Sequence, residues 1–180
     1  TTAGEDEKGG ARVMRGKAHV YPKARITTDE IIPAVHATTD DEARLAERAL
    51  EPLDPGFATR VRKGDIVVAG EEFGCGSARE HAVWALRGAK VAAVVAKSFA
   101  GTFFRNALNN GFLAIECAAA VERTESGDLL EIDLKDGVVR NLTRGESHTF
   151  VPLTPFALEI LEAGGLLPYV LRQTTGASSA

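Results

Sequence analysis

Cysteine is scarce: the 180-residue chain carries only Cys75 and Cys117. Two thiols are too few for a disulfide framework and too few for the thiolate set of an iron-sulfur cluster. Any such cluster has to use another chain's ligands. Long apolar runs are missing as well, since no stretch of about 18 apolar residues occurs, and this excludes a membrane-spanning helix. The first dozen residues are polar and Gly-rich rather than basic and then apolar, so no secretory leader is expected and the protein is predicted to be cytoplasmic. A surplus of positive charge is also absent. Twenty-one Lys and Arg stand against 25 Asp and Glu, for a net charge of -4, so neither a nucleic acid nor a membrane surface is an expected partner.

What remains is ordinary globular composition, 44% hydrophobic and 26% charged, enough for one domain. Residues 1–11 and 173–180 are too poor in apolar side chains to offset the entropy of ordering and are expected to be flexible tails around a domain of residues 12–172. Within it, Gly16 to Tyr21 reads as a strand, and Asp40 to Leu50 has helical composition that ends before Pro52. Asp65 to Ala69 and Val91 to Ala96 are short β-branched runs of the kind buried in parallel sheets. Ser77 to Arg87 and Phe99 to Asn109 place apolar residues at three- and four-residue steps, as helices do, and Phe112 to Ile115 is a third strand candidate. The order strand, helix, strand, helix, strand predicts an α/β fold with a parallel sheet. Leu129 to Leu134 and Val138 to Leu142, separated by Lys135-Asp136-Gly137, predict an antiparallel hairpin. Pro155 to Ala163 predicts a last helix, and Pro168 argues against a regular strand over Leu166 to Leu171.

The segment richest in chemistry is Glu71-Glu72-Phe73-Gly74-Cys75-Gly76-Ser77-Ala78-Arg79-Glu80-His81-Ala82, between a predicted strand and a predicted helix. Glycines let a backbone approach a ligand, free N–H groups at a helix start favour an anion, and Arg79 offers a planar fork for a carboxylate. The same letters also fit a purely local role, because Ser77-x-x-Glu80 is a capping-box pattern. They are neither a Walker loop nor a complete dinucleotide fingerprint. His81 reads either as a group tuning the site or as a hydrogen-bonded structural histidine. Cys75 reads either as a reactive thiol or as a small residue in a tight turn, and Ser98 either as a residue of the ligand-binding sheet edge or as a helix cap. His19 and His148 sit in predicted strands and show no metal-ligand spacing.

Phe73 to Ala82, followed by Lys97-Ser98-Phe99-Ala100 and Asn109-Asn110-Gly111-Phe112, resembles the swivel domain of the aconitase superfamily in its free-standing small-subunit form. Thr27-Thr28-Asp29-Glu30-Ile31-Ile32-Pro33 and the closing Leu158 to Leu167 extend the resemblance over most of residues 12 to 172. The nearest types are the small subunits of 3-isopropylmalate dehydratase and homoaconitase. The resemblance implies a swivelling β/β/α domain with a central, partly parallel sheet flanked by helices and a β-rich C-terminal part. It also implies a hydro-lyase that isomerises a substituted malate by dehydration and rehydration, with 2-isopropylmalate and 3-isopropylmalate as the expected pair. Homoaconitase or another substituted-malate dehydratase is the alternative. A regulatory, RNA-binding relative is a different-class alternative that the charge of -4 disfavours.

The partner implied is a large subunit, in a heterodimer or heterotetramer, that holds a four-iron four-sulfur cluster, with a di- or tricarboxylic acid as substrate and no metal on this chain. By position, Ser77 matches the family's catalytic base and Arg79 its substrate-carboxylate ligand, with Gly76, Ala78 and Asp29 beside the substrate. Ala34-Val35-His36-Ala37-Thr38-Thr39 occupies the specificity segment and places Val35, His36, Ala37 and Thr38 beside the substrate: Val35 and Ala37 suit an apolar pocket for an alkyl substituent, whereas His36 suits a polar or third carboxylate group instead. The chain departs from the pattern at Ala78, where a second serine is usual, at Val83, where proline is common, and in lacking an Arg-Tyr-Leu run after Pro33.

Overall fold

The computed structural model describes residues 13–176. Seven strands form one sheet in the order β4-β3-β2-β1-β5-β6-β7. Its parallel half is built from the short apolar runs β2 (Ile66–Ala69), β3 (Ala93–Ala96) and β4 (Leu113–Glu116). Every residue of β2 and β3 is buried, as expected for strands covered by helices on both faces. Alternation sorts them: Val67, Ala69, Val94 and Ala96 enter one core cluster, and Ile66, Val68, Ala93 and Val95 the other.

Strand β1 (Val13–Tyr21) joins the two halves. Its first part pairs antiparallel with β5 (Leu129–Asp133), from Val13 opposite Asp133 to Lys17 opposite Leu129. Its second part runs parallel to β2, from Ala18 beside Ile66 to Tyr21 beside Ala69. Close to this handover the backbone of Gly64 crosses so near that a Cβ on Gly16 would overlap it. Beyond β5 the chain continues as an antiparallel meander through β6 (Val138–Asn141) and β7 (Glu146–Thr149). The expected hairpin is present, and the strand expected around His148 follows it as β7.

Short helices α1 (Thr28–Ile31), α2 (Glu42–Ala46) and α3 (Phe57–Arg60) precede β2. Helix α4 (His81–Gly88) connects β2 to β3, α5 (Gly101–Asn109) connects β3 to β4, and α6 (Ala118–Arg123) follows β4. Helix α7 (Pro155–Ala163) is capped by Thr154, whose Oγ1 accepts the Ala157 N–H at 3.1 Å, and ends at a left-handed Gly164. Helix α8 (Leu166–Gly176) takes the place of the irregular segment expected from Pro168. Proline falls in the first turn of this helix, where no intrahelical N–H is lost. Gln173 to Gly176, expected as tail, continue α8, while residues 1–11 and the last four lie outside the described residues. Among the described residues no helix is long and apolar enough to cross a membrane.

The helix expected over Ser77 to Arg87 begins only at His81. The capping box forms elsewhere, at Thr27-x-x-Glu30, where the Thr27 side chain accepts the Glu30 N–H and the Glu30 carboxylate accepts the Thr27 N–H. Ser77 lies outside the helix, with its own N–H donating to Thr28 Oγ1 at 3.1 Å. Its hydroxyl oxygen instead accepts the N–H of Arg79, two residues on, at 3.3 Å.

Candidate active site

Three adjacent strands, β1, β2 and β3, send their following loops out of the same carboxyl edge of the sheet, the edge where open α/β sheets bind ligands. The loop after β2 runs between the other two. On one side the Arg25 N–H reaches the Glu71 carbonyl at 2.7 Å, the Gly74 N–H the Ile26 carbonyl at 2.8 Å, and the Thr28 N–H the Cys75 carbonyl at 2.9 Å. On the other, the Phe73 N–H donates to the Ser98 carbonyl at 3.1 Å and the Ala100 N–H to the Phe73 carbonyl at 3.0 Å. Ser98 Oγ accepts the Glu72 N–H at 2.8 Å, so this serine ties the loop down rather than capping α5, which no side chain caps.

Beneath the loop, the rings of Phe73, Phe99 and Phe103 pack with centroids 5.1–6.1 Å apart. Gly74 lies directly on Phe103. At φ +84° its backbone is in the region glycine favours, and a Cβ would come within 2.5 Å of the Phe103 ring. The loop is therefore exposed above and rigidly seated below.

The seat presents Gly76, Ser77, Ala78 and Arg79 to solvent. Asn106 of α5 holds the Ala78 carbonyl through Nδ2 at 3.0 Å, and Asn110 reaches the Glu80 carboxylate at 3.4 Å. Among the described residues no carboxylate pairs with the Arg79 guanidinium, and neither the Ser77 O–H nor the Asp29 carboxylate has a side-chain partner. Ser77, Arg79, Asp29, Thr28, Ala37 and His81 line one depression with room for about one water molecule, 10 Å³.

Of the sequence-expected residues, Gly76 and Ala78 flank this depression along the chain. Val35, in the 3-10 turn Ala34–His36, is 74% exposed. His36 turns toward Glu51, with Nε2 3.9 Å from Oε2, and neither it nor Val35 nor Thr38 lines the depression. Thr28, Asn106 and Asn110, which fix the loop from outside it, were not singled out by spacing. The resemblance segments contained Thr28 and Asn110, and nothing in the sequence pointed to Asn106.

The chain's own residues do not fit an iron-sulfur cluster. Among the described residues no group of three His, Cys, Asp or Glu side chains could hold a metal. Cys75 is half-buried in the loop, whereas Cys117 is buried at the start of α6, where burial pushes its thiol up. His19 is engaged with Asp65 at 2.7 Å.

Residues 15–120 match the family model of the aconitase C-terminal domain. The chain belongs to the aconitase family. Within it, the chain is 55% identical over 157 residues to the 3-isopropylmalate dehydratase small subunit of Deinococcus deserti, covering 87% of each. It is 48% identical over 161 residues to the small subunit of the same name from Moorella thermoacetica, covering 89% of this chain and 96% of that one. The crystal structure of the 3-isopropylmalate dehydratase (leuD) of Methanocaldococcus jannaschii superposes with a TM-score of 0.88 at 36% identity, over 92% of this chain and 98% of the other. The α/β fold with a mixed sheet and flanking helices is thus the aconitase-family fold of these dehydratase subunits.

Proposed function

We propose that the chain is the small subunit of a cytoplasmic hydro-lyase that interconverts 2-isopropylmalate and 3-isopropylmalate. In this reading the loop after β2 is the proton-transfer half of a site completed by a large subunit, in a heterodimer or heterotetramer. The observation that carries it is the exposed Ser77 hydroxyl and Arg79 guanidinium, neither with a side-chain partner among the described residues, on a braced loop beside a depression too small to enclose a malate. The names of relatives 48–55% identical over most of the chain support the substrate.

The residues supply a definite division of labour. Arg79 binds one substrate carboxylate through its guanidinium fork, which no carboxylate of the described chain occupies. Ser77 takes the proton from the carbon next to a carboxylate and returns it on rehydration. A serine hydroxyl is a poor base unless its anion is favoured. Here its oxygen already accepts the Arg79 N–H, and the Arg79 cation belongs to the same turn. Gly76 and Ala78 bring backbone close to the diacid, Asp29 borders it, and Val35, Ala37 and Thr38 face the alkyl substituent. The four-iron four-sulfur cluster belongs to the large subunit and supplies a Lewis acid for the departing hydroxyl.

The test is anaerobic turnover of this chain co-purified with its large subunit, on isopropylmalates, homocitrate-derived acids and methyl-substituted malates. Formation of the unsaturated diacid chiefly from an isopropylmalate is expected. Faster turnover of another acid overturns the substrate, and no turnover of any of them by a complex with an intact cluster overturns the reaction.

A further inference from the structure

We infer that the amino edge of the sheet carries a second binding site, for a small amphipathic carboxylate. Such a site is separate from the hydro-lyase half-site and does not depend on that reading. Strands β2, β3 and β4 run parallel to the second part of β1, so the turns that lead into them gather at the edge opposite Ser77. Between those turns, the start of β1 and helix α7 lies a cavity of about 340 Å³, within the size range of small-molecule sites. Met14, Val91, Phe112, Leu134 and Leu161 give it apolar walls.

Every charged side chain that lines this cavity is a cation: Arg15, Lys63, Arg87 and Lys90, with no Asp or Glu lining it among the described residues. The arginines are engaged, Arg15 by Glu131 and Arg87 by Glu42 and the Asn110 carbonyl. Lys63 and Lys90 are exposed and pair with no carboxylate of the described chain. Lys90 is also held where a lysine is costly. It follows the C-cap of α4 at φ +65°, in the left-handed region where helices commonly end on glycine, and its carbonyl accepts the Gly64 N–H at 2.9 Å. Glycine would relax this turn, so stability alone does not account for a lysine at the lip of the cavity. Two unpaired ammonium groups beside apolar walls complement an anion whose other end is apolar. A carboxylate fits better than a phosphate. The N–H groups of Gly64, Val91, Ala92, Gly111 and Phe112 are all bonded to carbonyls of the chain and leave no cradle of the kind that phosphates use.

The test follows Met14, the one methionine of the sequence, through its isotope-labelled methyl resonance in the full chain. Octanoate is the probe, octanol supplies the same apolar body without the charge, and acetate the charge without the body. A saturable shift of the Met14 signal is expected with octanoate below about 10 mM, with octanol and acetate at least about tenfold weaker. The double variant Lys63→Gln/Lys90→Gly removes both charges and relaxes the left-handed turn. It is expected to weaken octanoate at least about tenfold while melting no lower than the wild type, a combination that a purely structural role for these lysines would not give. Lys63→Gln alone, at an exposed side chain, is expected to weaken octanoate about threefold or more. No saturable shift overturns the inference, as does octanol or acetate binding as well as octanoate, or octanoate binding that neither variant changes. None of these readouts involves turnover, so their failure leaves the hydro-lyase reading standing.

Discussion

The antiparallel half of the sheet closes its arginines into carboxylate networks, whereas the parallel half, beside its own pairs such as Arg87 with Glu42 and Lys97 with Glu122, leaves a few polar groups open at one edge. In the antiparallel half Arg140 bonds Glu131 at 2.9 Å and both Asp133 and Asp136 at 3.1 Å, and Arg144 bonds Glu125 at 2.7 Å and Asp128 at 2.8 Å. Asp128 also takes the amide of buried Asn141 at 2.9 Å. At the carboxyl edge of the parallel half, Arg79, Asp29, the Ser77 O–H and His81 Nδ1 find no such partners among the described residues, although the loop beneath them is bonded to the loops on both sides. A closed polar network fixes a fold, whereas an open one on a rigid seat is prepared for something from outside.

Mutations on each side should separate activity from stability. The largest effect is expected from Arg79→Ala, which removes the carboxylate fork and lowers kcat/KM of the complex by about a hundredfold, with the denaturation midpoint unchanged. A comparable loss of stability would instead make Arg79 part of the scaffold. Gly74→Ala pushes a Cβ into the Phe103 ring and strains φ, so it should cost about 1–3 kcal/mol in chemical denaturation and also lower turnover, because the seat itself moves. In the antiparallel half, Asp128→Ala orphans the Asn141 amide and should cost about 1–3 kcal/mol while turnover per assembled complex stays as in the wild type.

The smallest effect is a pH dependence. Burial pushes the Asp128 carboxyl up, but the Glu125 N–H, Arg144 and Asn141 outweigh it, and the Asp136 N–H and Arg140 likewise hold Asp133 below the usual carboxylate range. Carboxyls depressed in the folded state contribute stability that is present above the unfolded value of about 4 and is lost as pH falls through the folded one. Hydrogen exchange should therefore show β5 and β6 loosening as the solution is acidified below about pH 4, with no such sensitivity between pH 5 and 7.

Much of this was legible in residue order. The runs Asp65 to Ala69, Val91 to Ala96 and Phe112 to Ile115 announced buried parallel strands, found at Ile66–Ala69, Ala93–Ala96 and Leu113–Glu116, because burial on both faces demands continuous apolar sequence. β7 was only faintly legible, as the strand expected around His148, since Glu-Ser-His-Thr carries no apolar signal and its pairing comes from following β6. The start of α4 was misplaced for a physical reason. Ser77-x-x-Glu80 and Thr27-x-x-Glu30 are equivalent as local patterns, but the Ser77 hydroxyl accepts the Arg79 N–H and its N–H reaches across to Thr28, so only Thr27 caps a helix. At the site, Ser77 and Arg79 stand out in the sequence, but Thr28, Asn106 and His81's lack of a partner are products of three loops and two helices meeting in space.

The central claim is that Ser77 moves the proton on a surface only a partner can complete, and Ser77→Ala in the assembled, cluster-intact complex tests it most directly. Its side chain is exposed and bonded only to the Arg79 N–H, so assembly and melting temperature should match the wild type. Anaerobic turnover of 3-isopropylmalate should fall by at least about a hundredfold. Turnover within about tenfold of the wild type would contradict the account and return the loop to a structural role.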